Sequence, residues 1–197
     1  MKTRLVLLVV LLVLAAAATV LSVVLVPRTE TAQVPLPDPP EGYAVENNFS
    51  FRECFEVGER MDAEGNPVTS VTHTLAEYAG KPSAVIFWSS WSASSREQLK
   101  DVDAVYADYE GRAAVLPVNV GKAGKDSEKK ARIAMADGGY GLPLYVDSTG
   151  VPAFNITSAP TALFFDGMGN LVKTVTGLCD EETLRSTLDG MLEEGSE

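Results

Sequence analysis

The sequence predicts an α/β domain: a central mixed sheet flanked by helices, with an added N-terminal β-hairpin, preceded by one transmembrane helix. Three observations carry that expectation. Apolar residues alternate along 49–57, a period of two that reads as a half-buried strand. A short apolar run, Ala84 to Trp88, leads into a segment with helical spacing at Leu99, Val102 and Val105 or Tyr106. The segments beyond follow the order strand, helix, strand pair, helix, which is a βαβ unit followed by a ββα unit.

The chain has 197 residues, 46% hydrophobic and 22% charged, enough for one domain with a core plus accessory segments. Its formal net charge is -11 and no basic stripe interrupts the acidic composition, so nucleic-acid binding is not expected. Leu5 to Val26 holds no charged residue and has the length of a helix that crosses a bilayer. Lys2 and Arg4 ahead of it place the N-terminus in the cytoplasm and the domain on the extracytoplasmic side of the cell membrane. The alternative is a signal peptide cut near Ala15–Ala17, which would release a secreted protein. The apolar stretch runs well past those alanines, which favours an uncleaved anchor over residues 1–27. Residues 28–45, with Pro35, Pro37, Pro39 and Pro40, read as an extended tether. Residues 46–197 are then the globular domain.

Each element has its own signal. Phe49, Phe51, Phe55 and Val57 fall on one face of the first strand; Ser50, Arg52, Cys54 and Glu56 fall on the other. Asp62 to Pro67 is a turn, and Val68 to Leu75 completes the hairpin. Ala84 to Trp88 is apolar throughout, as in a strand buried on both faces. A helix follows from about Ser94, with Ser94 and Glu97, or Ser95 and Gln98, offering a capping box. Ala113 to Val120 is the next strand, and Ser127 to Ala136 is a helix closed by Gly138-Gly139. Leu142 to Val146 reads as a short strand. Pro160 to Phe165 and Asn170 to Val175 form a hairpin around Asp166-Gly167-Met168-Gly169. The last helix starts at Asp180 and lines up Leu184, Leu188, Met191 and Leu192.

The stretch Phe87-Trp88-Ser89-Ser90-Trp91-Ser92-Ala93-Ser94-Ser95 resembles the active-site turn of extracytoplasmic thioredoxin-like proteins of the TlpA and ResA type. In that family the turn reads Phe-Trp, then Trp-Cys-x-x-Cys opening a helix. Further landmarks fit from about Phe49 to the C-terminus: Ala79-Gly80-Lys81-Pro82, the Pro143-x-x-x-Asp147 segment, Ala159-Pro160 at the site of a cis-proline, and the Asp166 to Val172 hairpin. The resemblance implies a thioredoxin fold, with the N-terminal hairpin as the family's addition. It also suggests a bacterial protein, so the glycosylation sequons at Asn48 and Asn155 are taken as chance.

Ser92 and Ser95 stand where the resemblance places the two redox cysteines. A thiol at a helix N-terminus ionises readily and attacks a disulfide; its partner then resolves the mixed disulfide. A serine hydroxyl ionises far above neutrality and forms no bond that stores the two electrons. Relatives often carry a buried Asn or Asp two residues before the Trp of Phe-Trp; here that position is Ile86. Thiols and polar partner are missing together, which points to a thioredoxin-fold protein without dithiol chemistry. Serine nucleophile chemistry would need a base nearby, and the single histidine, His73, falls on the hairpin. The plainer role of the serines is to cap the helix.

Cys54 and Cys179 are the only cysteines. An extracytoplasmic protein can bridge such a pair, yet their positions, on the first strand and after the last, do not by themselves bring them together. The resemblance places Gly177-Leu178-Cys179 beside the cis-proline and Trp91, Ala159, Pro160 and Gly177 around the substrate groove. Three functions follow as expectations. The first is a membrane-anchored protein that binds a polypeptide or membrane-protein partner in that groove. The second is a thiol-disulfide oxidoreductase or peroxidase relative using Cys179 or Cys54. The third is a structural adaptor in a membrane complex. No cofactor and no metal is expected.

Overall fold

A computed structural model of the chain describes residues 38–195. The expected membrane segment, residues 5–26, and most of the tether lie outside them. Among the described residues no helix is long and apolar enough to cross a membrane.

The strands are β1 (Ser50–Cys54), β2 (Ser70–Thr74), β3 (Ser83–Trp88), β4 (Ala114–Asn119), β5 (Tyr145–Asp147), β6 (Thr161–Phe165) and β7 (Leu171–Thr176). The helices are α1 (Ala93–Tyr106), α2 (Glu128–Gly138), α3 (Gly150–Ala153) and α4 (Glu181–Glu194). All seven strands join one sheet in the order β2-β1-β5-β4-β3-β6-β7. β3 pairs in parallel with β4, and β4 with β5; β6 lies antiparallel to β3 and β7 antiparallel to β6. The hairpin β1–β2 is added through β5, antiparallel, with Arg52 opposite Val146. The mixed sheet, flanking helices and added hairpin are those expected from the sequence.

The sheet separates two apolar layers. On one face α1, α2 and α4 cover Ile86 and Trp88 with Leu99, Val102, Ala131, Leu184 and Leu188. On the other, Phe49, Phe51, Leu75 and Val151 pack on Val85, Phe87 and Leu163. β3 is buried along its whole length because both layers meet it, so its apolar run shows no alternation. Trp88 is fully buried and satisfies its one polar group by donating Nε1–H to the Pro117 carbonyl at 3.2 Å.

The first strand departs from the expected pattern. It ends at Cys54, and the chain then turns, with the Glu59 N–H bonded to the Glu56 carbonyl at 3.0 Å. Alternation beyond Cys54 therefore has no meaning, and Val57 is 79% exposed rather than inward. Cys54, assigned to the open face, is buried, because the three-helix layer reaches the edge where β1 meets β5. The short helix α3 was not expected. Asp147 Oδ1 builds it by accepting from the N–H groups of Gly150 at 2.6 Å and Val151 at 3.2 Å. Gly139 closes α2 in the left-handed region at φ 68°, the usual helix stop. At the β6–β7 turn Gly169 (φ +77°) lies against the Tyr43 ring, where a β-carbon would clash.

Candidate functional site: the serine turn

β3 delivers its C-terminal end to a turn of polar residues, and α1 starts at once on the far side. Ser92 is the cap of α1: its Oγ accepts from the Ser95 N–H at 3.2 Å. This corrects the expected capping boxes at Ser94 and Ser95. Ser95 instead faces inward, fully buried, and its Oγ accepts from the Ser89 N–H at 3.1 Å. Gln98, the other expected box member, is also fully buried and clamps a different segment. Its side-chain amide donates to the Cys179 carbonyl at 2.6 Å and accepts from the Cys179 N–H at 2.6 Å.

The Ala159–Pro160 peptide is cis. Ser92 reaches across to this loop, donating its hydroxyl to the Ala159 carbonyl at 3.0 Å. Gly177 donates its N–H to the Pro160 carbonyl at 3.0 Å. The Ala159 N–H has no hydrogen-bond partner among the described residues. Trp91 is 59% exposed at the tip of the turn, and Leu178, next to Gly177, is 43% exposed. The structure thus joins Ser92 to Ala159 and Gly177 to Pro160, and leaves Trp91 as the open apolar face of the turn.

One residue at this site escaped the sequence reading. Asp126, just before α2, is buried beneath the turn. Its carboxylate accepts from the Ser90 N–H and the Ser90 hydroxyl, both at 2.6 Å, from Asn119 Nδ2 at 2.9 Å and from the Ser127 N–H at 2.9 Å. Burial alone would raise its pKa, but the hydrogen bonds from Ser90, Asn119 and Ser127 outweigh it and hold the carboxyl below its ordinary value. The group is therefore a buried carboxylate fully committed to donors. Its only sequence signal was an Asp-Ser pair at a helix start, which reads as ordinary capping.

Ile86 is fully buried in the three-helix layer, so no acid stands beneath the turn from β3. His73 lies on the hairpin, bonded through Nδ1 to Glu77 at 2.8 Å and through Nε2 to Glu53 at 3.3 Å, as no base for the serines. The candidate disulfide is not formed: Cys54 and Cys179 are both free and buried. Cys54 lies on β1 and Cys179 just past β7. Those strands stand five spacings apart in the sheet, roughly 24 Å, whereas bridged Cα atoms lie within about 7 Å. Burial, with Glu128 nearby, pushes the Cys54 thiol up to about 12. Burial likewise pushes Cys179 up to about 11. Neither is poised as a thiolate at neutral pH.

A parallel βαβ unit, a ββα unit and a cis-proline loop touching a helix-capping turn define a protein of the thioredoxin-fold class, with Ser92 and Ser95 in that turn. The chain belongs to the thioredoxin-like domain family, which it matches over residues 71–192. It is 26% identical over 156 residues to the thiol-disulfide oxidoreductase ResA of Geobacillus kaustophilus, covering 76% of this chain and 87% of that protein. It is 28% identical over 156 residues to the thioredoxin-like protein YneN of Bacillus subtilis, covering 75% and 90%. Among solved structures it resembles the exposed lipoprotein thioredoxin Etrx1 of Streptococcus pneumoniae, with a TM-score of 0.54 and 30% identity over 69% of this chain and 98% of that one.

Proposed function

We propose that the protein is a membrane-anchored, extracytoplasmic member of this family that has lost dithiol cycling and binds a polypeptide across Trp91, Ala159, Pro160 and Gly177. One observation carries the reading: Ser92 and Ser95 occupy the cap and first turn of α1, in the geometry that would otherwise activate a thiol. The Ser95 N–H points at the Ser92 side chain, as it would at a thiolate. An oxygen there caps the helix and cannot carry electrons. The recognition surface does not depend on sulfur. The unpartnered Ala159 N–H suits the main chain of an extended peptide, and exposed Trp91 suits its side chains.

Anchorage rests on Lys2 and Arg4 followed by the uncharged run 5–26. Redox chemistry through Cys54 or Cys179 has less support, because burial disfavours both thiolates and the two sulfurs are not a Cys-x-x-Cys pair.

The test is binding without thiols in the ligand. Labelled, S-carboxymethylated insulin B chain cannot form a disulfide, so its fluorescence anisotropy reports docking alone. Saturable binding is expected, weakened about tenfold or more by Trp91→Ala, as for an aromatic anchor. No binding, or equal binding by the variant, would overturn the polypeptide-binding reading.

A further inference from the structure

A second recess begins where the serine turn ends. It is a groove of about 650 Å³ between α1 and α2. Ser90 and Ala93 form its upper end. From there α1 contributes Arg96 and Lys100, and α2 contributes Lys130 and Ile133. Ile133 is 52% exposed, and Lys100 and Lys130 are exposed. Glu97 and Asp137 also line the groove, so its charge is three cations against two acids, in a chain of net charge -11.

The cations keep donors to spare. Lys100 and Lys130 have no ion-pair partner among the described residues, and Arg96 uses only one guanidinium nitrogen, Nη1, on the Ser90 carbonyl at 2.9 Å.

The dimensions are compatible with an extended chain. From Ala93 to Lys100 the α1 wall advances about 10 Å along its axis, the length of about three residues of extended chain. Arg96 and Lys100 are separated by about 6 Å along α1, close to the repeat of about 6.6 Å between alternate residues of a strand. We propose that the α1–α2 groove receives an extended polypeptide segment carrying carboxylates at alternate positions, continuing the chain bound at Trp91. This rests on the polypeptide-binding reading above and adds its specificity. Arg96 and Lys100 meet the alternate carboxylates, Lys130 faces them from α2, and Ile133 covers an intervening aliphatic stem.

The experiment uses the full chain and three labelled twelve-residue peptides. One carries leucine followed by Glu-Ser-Glu, the second has glutamine for each glutamate, and the third has the two glutamates contiguous. The alternating acidic peptide is expected to bind about fivefold more tightly than its glutamine form, the sum of two exposed pairs of ordinary strength. It should also bind more tightly than the contiguous form. The preference should shrink in high salt and vanish in Lys100→Gln/Lys130→Gln, both surface changes. Trp91→Ala should weaken the acidic and glutamine peptides alike. Equal binding of the acidic and glutamine peptides overturns this proposal and leaves the polypeptide-binding reading standing. So does a preference that survives the double substitution, since the acids would then bind elsewhere. Failure of all three peptides to bind overturns both.

Discussion

Asp126 holds the serine turn in place, and the consequence can be measured. Removing its side chain leaves the Ser90 N–H and the Asn119 amide without their acceptor. Asp126→Ala is expected to destabilise the fold by about 1–3 kcal/mol, the cost of stranding buried donors, as read from urea unfolding. Faster amide exchange at Ser90 should accompany it. Because the carboxyl is held below its ordinary value of 3.8, its contribution is present above that pH. It is lost as the pH falls through the lower folded value, so the difference between wild type and Asp126→Ala should close only in acid. The sequence made Ser92 and Ser95 visible because they fill a recognisable spacing. Asp126 was not visible, since it lies 36 residues from Ser90 and nothing local shows that the α2 entry folds beneath the turn.

The added hairpin carries a pH dependence of its own. His73 on β2 sits between Glu53 of β1 and Glu77 of the following turn, with Phe51 and Tyr145 rings beside it. The hydrogen bond to Glu53 is the largest influence and raises its pKa; burial opposes, and Glu77 adds to the rise. A raised folded pKa means the stabilisation is complete below the ordinary value of 6.5 and fades as the pH climbs through the higher folded value. Thermal midpoints should therefore fall from pH 6 to pH 8 in the wild type by more than in His73→Gln. The hairpin itself was legible, because period-two alternation and a Gly-Asn-Pro turn mark it locally. Its docking on β5 was not, because pairing between distant strands leaves no periodic trace. Helix α1 was legible through Leu99 and Val102, but its start was placed one residue late, at Ser94 rather than Ala93. Several serines competed for the cap, and only the tertiary contacts of Ser95 and Ala159 decide among them.

At the scale of the molecule, the fold followed from the order of elements and a few landmarks, while the state of the cysteines did not. Whether Cys54 and Cys179 meet depends on sheet order, which places β1 and β7 far apart. The native protein should thus resist a thiol probe at neutral pH without any reductant, and both thiols should titrate once the chain is unfolded in urea. The proposed recognition surface around Trp91 and Pro160 needs no thiol, and the helix cap beside it directs the Ser95 N–H at the Ser92 side chain.

The most direct test is insulin reduction by the wild-type chain beside Ser92→Cys/Ser95→Cys. A thiol at position 92 would face the Ser95 N–H, and one at position 95 would be shielded behind it. The account predicts that the wild type is inert and that the double variant gains turnover. Turnover by the wild-type chain would contradict it, because Cys54 or Cys179 would then be carrying the reaction.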